Sequence, residues 1–221
     1  MREYTDPSVF EGIRNGADWA DSTMSPEGID WAERLKTAAI PFAIIDGRPV
    51  KPGPSTGITR GRNELGHWGE MQCADALVLA TDPTTDQRRL LMIERGDGHG
   101  WAIPGGKLEA GETALDGGIR ELQEETGLFL PGAQWTVARM AWLVDDPRAS
   151  DESWMVTTPV RASITAYADQ LPPVDGRDDA RRAAWVIADS YAALRADLAA
   201  RFAGDVFRAH RQMLAEILDA S

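Results

Sequence analysis

A chain of 221 residues, 43% hydrophobic and 26% charged, is long enough for one sizeable domain with its own core, or one domain plus a short accessory segment. Its 35 acidic residues against 23 basic ones leave a formal charge of −12. That field repels polyanions, so nucleic-acid binding is a poor reading, whereas a small phosphorylated ligand accompanied by a cation stays open. The longest apolar run, residues 38–45, is short and broken by Pro41, so no membrane span is expected. The start lacks a basic segment followed by an apolar one, and Cys73 is the single cysteine; together these give a cytoplasmic, reducing location as the expectation.

Residues 1–70 are rich in Gly, Pro and Asp and read as a loop-rich N-terminal extension with one helix near 26–39, expected to pack on a substrate cleft. Residues 71–221 read as the main domain. Strands are expected over 74–80 and 89–94, joined as a hairpin through the turn-rich 81–87. Two more are expected over 135–144 and 153–164, and another over 183–188 after an acidic loop at 175–179. Helices are expected over 190–198 and 206–218, the latter with Val206, Phe207, His210, Met213, Leu214 and Ile217 at helical spacing. Strands before and after a central helix predict a mixed sheet in an α/β sandwich.

The central helix carries the chemistry. Thr113 offers a capping hydroxyl, Asp116 completes a capping-box pattern, Leu115, Ile119 and Leu122 make a buried stripe, and Gly127 is a natural stop. Gly117 and Gly118 each cost about 1 kcal/mol against Ala inside a helix, which predicts a neighbour packed close to its backbone. Glu121, Glu124 and Glu125 crowd one patch beside Arg120, and like charges at this spacing repel. A hard divalent cation relieves that repulsion, and an all-oxygen ligand set suits Mg²⁺ or Mn²⁺. The Pro104-Gly105-Gly106 turn lets a main-chain carbonyl approach the same spot.

Gly106, Glu112, Arg120, Glu121, Leu122, Glu124, Glu125, Gly127 and Leu128 occupy every fixed position of the Nudix box, which the segment 106–128 resembles throughout. A chance match in a chain this long is roughly one in ten million at average residue usage. The alternative, a solvated charge-rich helix face, explains neither the glycine loop nor the spacing. The resemblance implies a Nudix α/β/α sandwich that cuts a pyrophosphate bond. It assigns Glu121, Glu124 and Glu125 as metal ligands, Gly105 as carbonyl donor, and Glu112 with Arg120 as a bracing salt bridge.

The flanking segments 4–9, 19–21, 46–49, 56–62 and 65–69, and several beyond the box, resemble the mitochondrial-type ADP-ribose pyrophosphatase branch of that family, related to the Nudix-like domain of a melastatin-type TRP channel. This implies hydrolysis of ADP-ribose to AMP and ribose 5-phosphate by a monomer or homodimer. The alternatives are another nucleoside diphosphate derivative, such as a dinucleotide or sugar nucleotide, and a non-catalytic ADP-ribose-binding module. Trp68, Trp101 and Trp154 are candidates to stack on adenine or line the cleft, against the commoner role of core packing. Arg62 and Arg148 are candidates for phosphate, against surface arginines in turns. Asp178 or Asp179 is a candidate base or extra ligand from a late loop, and Asp75 is a ligand candidate by resemblance alone.

Overall fold

The N-terminal seventy residues hold more regular structure than their composition suggests. The computed structural model describes residues 2–220. In chain order it begins with β1 (Glu3–Thr5), α1 (Pro7–Arg14), a 3₁₀ turn (Pro26–Gly28), α2 (Trp31–Thr37), β2 (Ala43–Ile45), β3 (Arg48–Val50) and β4 (Arg60–Asn63). Then come β5 (Gly69–Thr81), β6 (Arg88–Arg95), β7 (Trp101–Ala102), β8 (Gly105–Lys107) and α3 (Ala114–Thr126). The rest is β9 (Thr136–Val137), β10 (Trp142–Leu143), β11 (Ser153–Thr165), β12 (Ala180–Ile187), α4 (Tyr191–Phe202) and α5 (Arg208–Asp219). No helix among the described residues is long and apolar enough to cross a membrane.

The chain divides into two units, Met1–Gln72 with Ala141–Thr157, and Cys73–Met140 with Thr158–Ser221. In the first, α1 was not expected. It starts because Asp6 Oδ1 accepts from the Ser8 amide at 2.9 Å and Pro7 brings a preset φ, yet eight residues are too few for a periodic signature. The helix expected near 26–39 is two pieces, because Ile29 is extended and Asp30 caps a fresh start by accepting from the Glu33 amide. β2 and β3 form a hairpin turned by Asp46 and Gly47, both at positive φ, while β1 pairs parallel with β4. The core of this unit gathers Leu65, Ala149, Trp154 and Val156 under Ile40, Phe42 and Leu143. Glu152, 1% exposed, ties its segments by accepting from Arg48, Arg60 and the Gly61 amide.

In the second unit the sheet runs β11-β5-β6-β12, with β9 on β11, β8 on β5 and β7 on β6. The β5–β6 hairpin forms as expected, with Asp82 accepting from the Thr84 and Thr85 amides in its turn. Ala76, Val78 and Ala80 line one face of β5 and pack with Leu91, Val160 and Trp185 against Leu122 of α3. Leu77 and Leu79 alternate to the other face and are equally buried, so both faces are covered. α4 packs on β12 and against α5. The strand expected over 135–144 is interrupted. Val137 pairs with Val160, yet Leu143 pairs with Val156, six residues on one strand against four on the other. Pro159 sits in that gap with no amide to give, and its carbonyl takes the Ala138 amide.

Candidate active site

α3 is capped as its sequence demands. The Thr113 hydroxyl accepts from the Asp116 amide at 3.2 Å, and Asp116 accepts that hydroxyl's proton rather than reaching the Thr113 amide. Gly127 closes the helix in the left-handed conformation, donating to Gln123. The interior glycines have the close neighbours their cost implies. A Cβ on Gly117 would overlap a methyl of Leu108, and one on Gly118 would overlap a methyl of Val160 in the sheet. Gly106 is equally pressed, since a Cβ there would overlap the Glu121 carboxylate.

Arg120 is the hub. Its Nε and Nη2 donate to the two oxygens of Glu112 at 2.9 and 3.0 Å, Nη2 also reaches the Lys107 carbonyl, and Nη1 is shared by Glu121 and Glu124 at 2.8 Å each. Glu112 also accepts from the Glu109 amide, so the loop before the helix is fixed to its middle. The hydrogen bonds from Arg120 hold Glu112 below the usual carboxylate range, and those acidic partners raise the guanidinium in turn. Burial dominates at Glu121 and raises it despite Arg120, with Glu124 and Asp178 adding to the rise.

Glu125 turns inward. It is 5% exposed and accepts from the Gly105 amide at 2.9 Å. Burial, with Glu121 and Asp75 adding to it, pushes its pKa up to about 8 against that hydrogen bond and the Arg95 charge. Among the described residues no three Asp, Glu, His or Cys side chains already converge as a metal cage. The donor chemistry nevertheless fits a hard dication: three carboxylates lie within two helical turns, and burial raises two of them, a shift that a nearby positive charge opposes.

Other predicted residues fall around the same helix. Asp75, 5% exposed, is the register partner of Gly105 between β5 and β8. Asp178 adopts φ 49° in the loop before β12, close enough to raise Glu121. That loop is pinned to the end of α3, since the Asp175 and Arg177 amides donate to Thr126 and Glu125 carbonyls. Asp179 is exposed, and its carbonyl accepts from the Gly96 amide. Two residues missed by the sequence reading stand here as well. Arg95 faces Glu125 while Asp97 holds its Nε and Nη2, and His210 of α5 lies 3.7 Å from Asp75. Neither belongs to the box, and the helical spacing of His210 signals only a place on the last helix, not a role in the site.

The remaining candidates are placed otherwise. Trp154 is fully buried against Phe42, edge to face at 5.0 Å. Trp101, 1% exposed, stacks on Phe202 at 4.5 Å with Arg182 beside it. Trp68 donates to the Thr23 carbonyl and lies under Arg62. Arg62, 1% exposed, donates to the carbonyls of Asp21 and Gly66, and Arg148 grips Asp146 through Nε and Nη2. In this structure the rings of Trp68, Trp101 and Trp154 pack in the interior, Arg62 is buried against main-chain carbonyls, and Arg148 is paired with Asp146.

The arginine-braced helix of carboxylates and the loop before it lie inside the segment that the family comparison matches. The description "NUDIX domain" matches residues 71–208, and the chain belongs to that family. A putative nudix hydrolase 6 of Caenorhabditis elegans is 29% identical over 85% of this chain and 75% of its own length. A mitochondrial ADP-ribose pyrophosphatase of Rattus norvegicus is 30% identical over 83% of this chain, which spans only 61% of that relative. Among solved structures, a bifunctional NMN adenylyltransferase/ADP ribose pyrophosphatase of Francisella tularensis, complexed with AMP and a manganese ion, shares the fold at a TM-score of 0.51. It is 23% identical, over 70% of this chain and 42% of that one.

Proposed function

We propose that this chain hydrolyses the pyrophosphate bond of ADP-ribose to AMP and ribose 5-phosphate. The observation that carries the hydrolytic reading is the α3 arrangement, in which Arg120, locked by Glu112, aligns Glu121 and Glu124 beside buried Glu125. Glu121, Glu124, Glu125 and the Gly105 carbonyl would hold a Mg²⁺ or Mn²⁺, which would supply charge neutralisation at the pyrophosphate oxygens and a water of lowered pKa. Glu112 and Arg120 set the orientation of the ligands, and Asp178, from the loop before β12, is the candidate to accept a proton. The adenosine diphosphate part of the reading is supported by the rat relative, whose likeness covers most of this chain.

The test is incubation of the purified chain with ADP-ribose and Mg²⁺, with products separated and identified. AMP and ribose 5-phosphate in equal amounts are expected. EDTA in excess should abolish turnover and added Mg²⁺ or Mn²⁺ restore it. Full turnover in excess chelator would overturn the metal reading, and binding of ADP-ribose without turnover would identify a ligand-sensing module instead.

A further inference from the structure

The loop that leads into the box glycines is held from the C-terminal helix. Trp101 donates to the Asp205 carbonyl at 2.9 Å, and the Phe207 amide donates to the Trp101 carbonyl at 2.7 Å, a short parallel bridge. Two residues on, the Ile103 amide, itself buried, donates not to a carbonyl but to His210 Nδ1 at 3.3 Å. Because Nδ1 accepts, the ring proton sits on Nε2, which faces Asp75 Oδ2 at 3.7 Å, at the distance of an electrostatic contact. The imidazole, 6% exposed, thus lies between the two strands of chain that flank Gly105. On one side the Pro104 carbonyl accepts from the Ala76 amide, and on the other Gly105 pairs with Asp75 so tightly that a Cβ would overlap the Asp75 carboxylate. Gly105 in turn donates to Glu125.

We propose that His210 is a positioning residue for the Pro104–Gly106 loop, setting Gly105 against Glu125 through Ile103 on one side and Asp75 on the other. It lies just outside the family match, which ends at residue 208. Dropping the Ile103 contact leaves a buried amide without its acceptor, which a packed loop answers by shifting, and dropping the Asp75 contact removes an electrostatic restraint on the same ring. Displacements near 1 Å at a reacting centre lower the rate by about a hundredfold, while distant substrate contacts stay as they are. The proposal rests on the hydrolase reading above, and its metal arm needs no turnover.

Three variants separate the contacts. His210→Phe keeps an aromatic ring and removes both, His210→Asn returns an acceptor near Nδ1, and Asp75→Asn keeps shape while removing the charge that Nε2 faces. Each is measured for kcat and KM with ADP-ribose and Mg²⁺, for Mn²⁺ affinity by spin-resonance titration without substrate, and for folding by circular dichroism. His210→Phe should lower kcat at least tenfold with KM within threefold and weaken Mn²⁺ binding at least threefold. His210→Asn should recover most of both. Should the phenylalanine variant not fold, Asp75→Asn gives the same reading through weakened Mn²⁺ binding. A folded His210→Phe, or a folded Asp75→Asn, with wild-type kcat and wild-type Mn²⁺ affinity overturns the proposal. So does a loss that His210→Asn fails to repair. A wild-type chain inert toward ADP-ribose defeats the hydrolase reading instead, and the Mn²⁺ arm still decides the role of His210.

Discussion

Three glutamates on one helix do three different things. Glu124 is half exposed and shares Arg120 Nη1, Glu121 is more buried and shares the same nitrogen, and Glu125 is turned into the protein toward Gly105. Glu124→Gln keeps shape and removes one charge, so kcat with saturating Mg²⁺ should fall roughly a hundredfold, about 2.7 kcal/mol of barrier. The exposed ion pair it gives up is worth about 0–1 kcal/mol, so the thermal midpoint in EDTA should barely move. A variant within threefold of wild-type kcat would remove Glu124 from the metal site. Glu125 carries the pH dependence. Its pKa of about 8 in the fold lies above the value near 4.3 of an unfolded chain, so the folded state holds the proton more tightly. The stability this contributes is complete below pH ~4.3 and is lost as pH rises toward 8. The midpoint of EDTA-treated protein should therefore drop between pH 5.5 and 8, and Glu125→Gln should flatten that drop. Equal slopes for both proteins would contradict the assignment.

The helix that carries these residues is specified against its own propensity. Replacing Gly118 by Ala gains about 1 kcal/mol of helix propensity but drives a methyl into Val160, whose β-branched side chain is stiff and anchored in β11. Overpacking of this kind costs about 1–3 kcal/mol, so Gly118→Ala should lower stability. Gly117→Ala should do less harm, because it meets the free end of Leu108. Denaturant midpoints of the two variants check the order, and a stabilised Gly118→Ala would break the packing argument. How far such elements were legible varies with what specifies them. α3 and its cap, the β5–β6 hairpin, β11 and the two closing helices announced themselves through periodicity, turn residues and spacing. The break between β9 and β10 did not, because its cause is Pro159 on the opposite strand, a pairing that local sequence does not display. α1 and the pieces of the 26–39 segment are too short for a period to emerge. In the site, the box residues were readable because their spacing is fixed along one short segment, the loop from Gly106 and the helix α3 that follows it. His210 and Arg95 come from separate elements, and the burial of Trp101, Trp154 and Arg62 is decided by tertiary neighbours.

The box fixes the reaction more firmly than the substrate, since it grips a diphosphate and says little of what hangs on either side. The charge of −12 on the chain disfavours highly anionic ligands at long range, which agrees with a diphosphate rather than a polyphosphate or a nucleic acid. The most direct test is therefore a ranking of specificity constants, measured at one ionic strength with saturating Mg²⁺, for ADP-ribose, ATP, dGTP, a diadenosine polyphosphate and a sugar nucleotide. The account predicts ADP-ribose first. A nucleoside triphosphate preferred by tenfold or more would contradict the substrate assignment while leaving the family intact, and no turnover of any of the five would contradict the catalytic reading itself.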